Sequence, residues 1–386
     1  MSDRYSPKEM LARLVAFDST SHKSNLPIAD FIADYLAGHG IEARRVESAR
    51  GDKTNLFATI GPAGKAGIAL SGHMDVVPVT DQAWSSDPFE LREEGEKLYG
   101  RGTCDMKGFI ACALAAVPAF VEADLARPIH LAFSYDEEVG CVGVRSLIAE
   151  LGRHLPKPAI VVVGEPTGMK VVNAHKGIHA FTTEFAGRAA HNSMPHLGVN
   201  AVEFAGRFIG EIERLAAELR ERRDGPRFDP PYTTLTVSTI AGGEAVNIVP
   251  KSCRLTWQFR AVPATDPREV ERRLEAFANG ALLPAMRATS PETAIETTKR
   301  NEVPSFAASG GSEAVSLALK LAEQNELHAV SFGTEAGLFE AADAPAVVCG
   351  PGHVDQAHTA DEFVEVAQLD ECSAFLERLV EHASKG

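Results

Sequence analysis

Four continuous apolar runs, each leading to acidic or histidine residues, constrain the fold of this chain more than any other feature. The runs span residues 67–70, 129–134, 159–164 and 346–350. Because their apolar residues are continuous rather than alternating, the runs are typical of strands covered on both faces, as in an α/β sheet. Ligand crevices in such open sheets lie beyond the carboxyl ends of the strands. The charged side chains that follow the runs are therefore predicted to meet at one edge of the sheet.

These charged side chains are carboxylates and imidazoles in short motifs. They are His73 and Asp75 in 70–78, Asp105 in 102–108, Glu137 and Glu138 in 134–140, Glu165 in 163–168, and His358 in 357–363. Divalent metals between hard and borderline in character select this combination of donors, and the donors exceed what one ion needs. The pattern predicts a hydrolase with two metal ions.

Each of these residues has an ordinary alternative role when it is considered alone. A single Asp75, Asp105 or Glu165 is more often a helix cap or a loop carboxylate than a metal ligand. A lone His358 is most often a surface histidine, and adjacent glutamates often form a solvated turn. The same placement recurs in five separate motifs, and this recurrence favours the metal site.

Composition and charge exclude several classes of function. A length of 386 residues suits two domains. The formal net charge of −15 argues against nucleic-acid or anionic-membrane partners. The first ten residues lack a signal-peptide pattern, and no apolar stretch is long enough to span a membrane, so a cytoplasmic protein is expected. The six cysteines include no CxxC pair, so neither a disulfide framework nor a thiolate zinc site is indicated.

The order of predicted elements indicates two kinds of domain. From Ser6 to about Lys176, strands and helices alternate, which favours parallel α/β units. The segment 179–297 has the order βαββαβ, the ferredoxin-like split unit. We therefore predict a catalytic α/β domain, with a mixed, mostly parallel sheet and helices on both faces, formed by 1–178 and 298–386. An α+β domain at 179–297 is inserted into it.

The motifs resemble those of the dinuclear zinc aminoacylase and carboxypeptidase superfamily, which includes acetylornithine deacetylases and succinyl-diaminopimelate desuccinylases. The resemblance covers essentially the whole chain. It implies two Zn²⁺ ions, with Co²⁺ or Mn²⁺ as substitutes in a shell of oxygen and nitrogen donors. One ion would be held by His73, Asp105 and Glu165, and the other by Asp105, Glu138 and His358, so that Asp105 bridges the pair.

The resemblance also implies roles for the neighbours of these ligands. Asp75 would orient the imidazole of His73 and raise its basicity. Glu137 would be the general base rather than a ligand. A cis peptide bond is expected between Asp105 and Met106.

The inserted domain resembles the lid and dimerisation domain of the same superfamily. His191, in the motif 187–201, would reach the active site of the partner subunit in a homodimer and stabilise the oxyanion, with His196 as a nearby alternative. Asn247 and Arg260 would contact the substrate, since a guanidinium can form two parallel hydrogen bonds with a carboxylate. Without the resemblance, His191 reads as a loop histidine and Arg260 as a surface residue.

Within the superfamily, the segments 164–170, 175–177 and 331–339 are most similar to acetylornithine deacetylases. The expected substrate is thus a small N-acyl amino acid, Nα-acetyl-L-ornithine, hydrolysed to L-ornithine and acetate in arginine biosynthesis, with Glu335 accepting the side-chain ammonium. Open alternatives are a succinyl-diaminopimelate desuccinylase or another N-acyl-amino-acid hydrolase or dipeptidase. A non-catalytic metal-binding scaffold is disfavoured because Glu137 and the full ligand set are present. A dinucleotide-dependent oxidoreductase is excluded because this chain has no glycine-rich dinucleotide-binding turn after its first strand.

Overall fold

A computed structural model describes residues 3–385 of the chain, which form two compact units. The first unit contains the chain up to Asn173, the segment Ala307–His328 and the chain from Thr334 onwards. The second contains Ala174–Phe306 and Ala329–Gly333. The boundaries predicted from the sequence, after 178 and before 298, fall within the strands Gly177–Ala186 and Ala294–Val303. Both strands lie entirely in the second unit. A strand that is paired along its whole length belongs to one core, so the unit begins and ends outside these strands.

The strands and helices of the described residues follow in chain order. The strands are β1 (Ala43–Glu47), β2 (Thr54–Ile60), β3 (Ile68–His73), β4 (Arg92–Glu94), β5 (Lys97–Tyr99), β6 (Ile129–Ser134), β7 (Ile160–Val163), β8 (Val172–His175), β9 (Gly177–Ala186), β10 (Thr234–Gly242), β11 (Ser252–Ala261), β12 (Ala294–Val303), β13 (Phe306–Ala307), β14 (His328–Val330), β15 (Ala346–Val348) and β16 (Phe363–Glu365). The α-helices are α1 (Pro7–Val15), α2 (Leu26–Gly38), α3 (Lys107–Ala115), α4 (Val117–Glu122), α5 (Val144–Glu150), α6 (Ala201–Arg222), α7 (Pro267–Phe277), α8 (Leu283–Arg287), α9 (Glu313–Leu321), α10 (Ala336–Ala341) and α11 (Val366–Lys385). Short helical turns cover Pro195–Leu197, Ala278–Leu282 and Val354–Gln356.

The central sheet has the strand order β1-β2-β6-β3-β7-β15-β8-β13, with β14 paired to β8. Its middle strands β6, β3, β7 and β15 run parallel, whereas β1, β2 and β8 pair antiparallel with their neighbours. Every residue of β3, β6 and β7 is buried, as continuous apolar runs require. The predicted mixed, mostly parallel sheet is confirmed.

Parallel strands place their carboxyl ends at one edge of the sheet, and this arrangement positions the candidate site. β3 ends at His73, β6 ends three residues before Glu137, and β7 ends two residues before Glu165. Helix α3 begins at Lys107, directly after Asp105 and Met106, and its side chains from Lys107 to Leu114 are buried. A small antiparallel sheet of β16, β5 and β4 lies in the same unit.

The second unit is an antiparallel sheet of order β10-β11-β9-β12 that packs against helices. Its core joins Phe185, Phe208 and Trp257 to apolar side chains of α6 and α7. Asn200 caps α6 by accepting hydrogen bonds from the backbone N–H groups of Val202 and Glu203, which fixes the start of this helix. Strand and helix order together make this unit ferredoxin-like, as the sequence predicts.

Two further features concern the chain as a whole. No helix among residues 3–385 is long and apolar enough to cross a membrane. The six cysteines are buried and free.

Candidate metal centre

Six of the side chains singled out by sequence converge at the carboxyl edge of the central sheet. Asp105 is the middle of the cluster, because each of its carboxylate oxygens faces a different histidine. Asp105 Oδ1 lies 3.1 Å from His73 Nε2, and Asp105 Oδ2 lies 3.1 Å from His358 Nε2. The peptide bond between Asp105 and Met106 is cis, as expected.

Glutamates complete the cluster on either side of Asp105. Glu165 Oε1 lies 3.9 Å from His73 Nε2, and Glu138 Oε2 lies 3.0 Å from His358 Nε2. Candidate ligand atoms of His73, Asp105 and Glu138 lie within 4.8 Å of one another, as do those of His73, Glu137 and Glu165. The first grouping mixes members of both predicted ligand sets, the second includes Glu137, which was predicted as the base, and His358 is in neither. The two ligand sets stay predictions.

The hydrogen bonding of His73 fits a cation at this point. His73 Nδ1 lies 2.9 Å from the carbonyl oxygen of Asp75, so Nδ1 carries the proton and donates it. Nε2, which faces the carboxylate of Asp105 at 3.1 Å, is then the nitrogen through which His73 would bind a cation in place of its second proton. Glu165 Oε1 is also buried and has no hydrogen-bond partner among the described residues, which leaves it available to an ion.

Burial and mutual repulsion raise the pKa values of the crowded glutamates. Burial is the largest cause at each of them. It raises the pKa of Glu137 to about 8 and that of Glu138 to about 7, with the other carboxylates of the cluster adding to the shift. The pKa of Glu165 is raised well above its ordinary value for the same reasons. A site that holds this much negative charge out of water calls for cations as counter-charges.

The histidines shift in the opposite sense to an isolated buried imidazole. Burial opposes the charge on His73, but its hydrogen bonds with Asp105 and Asp75 raise its pKa well above the ordinary value. Hydrogen bonds with Asp105 and Glu138 raise the pKa of His358 to about 10. Burial opposes ionisation of Asp105, yet the same two histidines hold its pKa below the usual range. Without metal ions, protons bound to His73 and His358 therefore supply the positive charge that balances the carboxylates.

Asp75 organises the loop that carries the two adjacent glutamates. The residue is 1% exposed, and its carboxylate accepts hydrogen bonds from the backbone N–H groups of Glu137, at 3.1 Å, and Glu138, at 3.3 Å. Ser21 Oγ donates to it at 2.7 Å, and Asp75 Oδ1 lies 3.6 Å from His73 Nδ1. The residue therefore connects the strand end at His73 with the glutamate loop.

Glu137 contacts a thiol that sequence reasoning did not identify. Cys141 Sγ donates to Glu137 Oε1 at 3.2 Å. The turn between them is closed by Cys141 N, which donates to the carbonyl oxygen of Glu137 at 2.8 Å. The two side chains stand four residues apart at a turn with Cys141 at φ 52°, so only the turn geometry brings them together.

Arg101 and Glu362 form a buried ion pair that supports the loop before Asp105, and sequence reasoning missed both residues. Their side chains are each 1% exposed, and Arg101 Nη1 lies 2.7 Å from Glu362 Oε2. Glu362 also accepts from the backbone N–H groups of Gly102, Cys104 and Asp105 at 2.9–3.0 Å. The available signal was a glutamate four residues after His358 in an otherwise polar segment, which by itself is typical of the surface.

Glu335 lies inside the first unit, beside the strands that carry the cluster. It is 1% exposed and accepts hydrogen bonds from Ser134 Oγ and, at 3.3 Å, from Ser71 Oγ. Burial raises its pKa to about 7. Its predicted contact with a substrate ammonium stays a prediction.

His191, Asn247 and Arg260 belong to the second unit. The backbones of His191 and Ile248 form an isolated bridge, so His191 and Asn247 lie on adjacent chain segments. His191 is exposed, and its Nδ1 lies 2.7 Å from Ser193 Oγ. Arg260 is half-buried on β11, opposite Ile178 of β9. The predicted roles of these three residues stay predictions.

Comparison with known proteins places this fold and site in a family. The family model for Peptidase family M20/M25/M40 matches residues 69–382. The chain belongs to this family. As a member of this peptidase and deacetylase family, the chain is a hydrolase that acts on amide bonds.

Relatives of the M20 chain include curated enzymes of similar length. It is 38% identical to acetylornithine deacetylase of Myxococcus xanthus, with 97% of each chain covered. It is 31% identical to acetylornithine deacetylase of Pasteurella multocida, covering 95% of this chain and 93% of the relative.

Solved M20 structures share the fold at low sequence identity. The M20 family metallo-carboxypeptidase Sso-CP2 of Sulfolobus solfataricus has a TM-score of 0.79 at 18% identity, with 99% of this chain and 100% of the other covered. A dinuclear metal binding peptidase of Bacillus subtilis has a TM-score of 0.64 at 14% identity, with 98% and 99% covered.

Proposed function

We propose that this protein is a metal-dependent amide hydrolase that removes the acetyl group from Nα-acetyl-L-ornithine, giving L-ornithine and acetate. The observation that carries the hydrolytic chemistry is the Asp105 carboxylate, whose two oxygens each lie 3.1 Å from a different histidine Nε2. The acetyl substrate is supported by curated relatives that are 31–38% identical over nearly their whole length and are named acetylornithine deacetylase.

Two divalent ions fit the donors that converge on Asp105. His73 and Glu165 would hold one with it, and Glu138 and His358 the other. Zinc is the proposed metal, since each ion would be bound by one imidazole and by carboxylates, which are donors that zinc accepts. The same donors would also accept Co²⁺ or Mn²⁺. When bound, such ions polarise an amide carbonyl and acidify water.

Glu137 is the proposed general base, because it stands in the cluster but outside both ligand sets. Its carboxylate would take a proton from the attacking water and return it to the leaving amine. The raised pKa of Glu137 in the metal-free protein falls when cations replace protons nearby, which leaves the carboxylate ready to accept one. Asp75 would hold Glu137 in place through the backbone N–H hydrogen bond at 3.1 Å.

The two units would divide the work between chemistry and enclosure of the substrate. The first unit contains the whole candidate metal centre and is the proposed catalytic domain. The second is the proposed lid and dimerisation domain. Exposed His191 would reach the partner subunit's site in a homodimer and donate to the developing oxyanion. Asn247 and Arg260 would bind the substrate carboxylate, and arginine biosynthesis is the proposed pathway.

Amine release from two substrates tests the acyl specificity. Metal-free protein is loaded with Zn²⁺ and given Nα-acetyl-L-ornithine and N-succinyl-L,L-diaminopimelate at equal concentrations. We expect kcat/KM to favour the acetyl substrate by on the order of 10–100-fold, since an unmatched charged group costs about 1–3 kcal/mol. Preference for the succinyl substrate, or release from neither, contradicts the proposal.

Replacing Glu137 with glutamine tests the proposed base separately from the ligands. The amide keeps the shape of the side chain but cannot accept the proton of water. We expect Glu137→Gln to lower kcat by about 10²–10⁴-fold while zinc content stays the same as in the wild type. Loss of zinc with activity retained would show that Glu137 is a ligand instead. Glu150→Gln, the same change at the half-buried last residue of α5 and outside the cluster, serves as the matched control.

A further inference from the structure

A second cluster of metal-ligating side chains lies wholly within the second unit. It comprises His179 on β9, Glu302 on β12 and Glu271 on α7. His179 and Glu302 are direct partners in the antiparallel pairing of β9 with β12, and α7 brings Glu271 towards them. Three separate elements of the unit therefore meet at this point.

The distances in this cluster suit a shared cation better than direct hydrogen bonds. His179 Nδ1 lies 3.9 Å from Glu271 Oε1 and 3.8 Å from Glu302 Oε1. Both distances are too long for a hydrogen bond. Two ligands of a tetrahedral zinc ion, each about 2.0–2.1 Å from the metal, stand roughly 3.3–3.5 Å apart. Shifts of a few tenths of an ångström would bring His179 Nδ1 to that spacing from each carboxylate oxygen, and the ligand atoms of all three residues already lie within 4.8 Å of one another.

His179 is a buried polar side chain without a partner. It is 1% exposed, and neither ring nitrogen has a hydrogen-bond partner among the described residues. The ring stacks on Phe259, with centroids 4.4 Å apart and planes 9° from parallel, so its orientation is fixed. Leaving such a buried group unsatisfied is unfavourable for the folded state. Burial lowers its pKa to about 4, so the imidazole is neutral and able to ligate.

Lys299 shows that a positive charge is already favoured here. Its Nζ lies 2.9 Å from Glu271 Oε1 and 3.1 Å from Glu302 Oε2. The ammonium neutralises one of the two carboxylate charges, but it leaves both ring nitrogens of His179 without a hydrogen bond. The lysine side chain is 36% exposed and can turn to solvent. A divalent cation in its place would balance both carboxylates and satisfy the imidazole.

We propose that His179, Glu271 and Glu302 form a third divalent metal site, separate from the centre around Asp105, with Lys299 exchanging for the ion. One imidazole and two carboxylates are donors that Zn²⁺ accepts, with water as the fourth ligand. The bound ion links α7 to the paired strands β9 and β12 and stabilises the second unit, since a ligand that binds the folded state alone adds to its stability. This site does not depend on the acyl substrate proposed above.

Metal counting on the full chain tests the site. Metal-free protein is dialysed against buffered Zn²⁺, and bound zinc is measured by mass spectrometry across free concentrations. We expect three ions per chain in the wild type and two in His179→Phe, which keeps the stacking on Phe259. Glu302→Gln, at a half-exposed position, should also bind two and guards against a misfolded His179 variant. Equal zinc content in the wild type and both variants would overturn the proposal.

Lys299→Met provides a test in the opposite direction. Removing the competing ammonium should increase the affinity for the third ion by on the order of tenfold. If the cluster only forms ion pairs, the substitution would not increase the affinity for zinc. The absorption spectrum of bound Co²⁺ gives a second readout, because His179→Phe should remove the bands of the third ion and leave those of the other two unchanged. Unchanged third-ion affinity in Lys299→Met would contradict the exchange with Lys299.

Discussion

Glutamine at position 362 tests whether a buried carboxylate holds the loop that leads to Asp105. In the wild type, Glu362 pairs with Arg101 at 2.7 Å and accepts backbone hydrogen bonds from Gly102, Cys104 and Asp105. Glu362→Gln keeps the size and one acceptor oxygen. Its amide group replaces the other oxygen with a donor, which then faces donors of the loop and the guanidinium.

The structure gives the size of the effect. Removing one charge from a buried ion pair costs about 3–5 kcal/mol, because the partner stays buried without compensation. Arg101 is 1% exposed, so water cannot replace the lost carboxylate and this range applies. For a folding unit of about 250 residues, each kcal/mol lowers Tm by about 2–4 °C, so the expected drop is about 6–20 °C.

Denaturant unfolding and calorimetry of zinc-loaded protein measure this loss. The control is Glu365→Gln at the end of β16, half-buried and three residues away, which should change the free energy of unfolding by less than about 0.5 kcal/mol. Because the carboxylate that holds the loop before Asp105 loses its charge and one of its two acceptor oxygens, zinc affinity should also fall by about 10–100-fold. A Glu362→Gln protein with the stability and zinc affinity of the control would refute the reasoning.

Two further predictions concern pH and packing. In the metal-free protein, the pKa values of Glu137 and Glu138 are raised to about 8 and 7, so folded protein binds protons more tightly than unfolded protein. The stability that these protonated glutamates contribute is present below about pH 4.5 and is lost as the pH rises through about 8. The Tm of protein kept metal-free by a chelator should therefore fall between about pH 5 and 8. A Tm that does not change over this range would contradict the prediction. Gly164→Ala should lower the free energy of unfolding by about 1–3 kcal/mol, because its Cβ would lie 2.0 Å from the ring of Phe109. The control Gly206→Ala, exposed on α6 with open space around its Cβ, should raise it by about 0.5–1 kcal/mol in the same denaturation assay.

The sequence was sufficient to predict where the strand ends would place the candidate ligands. Continuous apolar runs form strands buried on both faces, and parallel strands end at one edge, so His73, Glu137 and Glu165 had to lie near each other. The order of elements in the second unit was equally readable, because each amphipathic segment carries its own period. The exact ends of the strands were harder to predict from the sequence. β9 begins at Gly177 and β12 extends to Val303, since pairing along β9 continues beyond the segments with a clear apolar pattern.

Tertiary structure alone decided which distant residues support the two clusters. Arg101 and Glu362 are 261 positions apart, and each looks like a surface residue in its own segment. His179, Glu271 and Glu302 meet because strand register and helix packing set their positions, and neither leaves a local pattern in the sequence. Local patterns report which face of an element is buried, whereas the partner of a buried charge is chosen by the packing of whole elements.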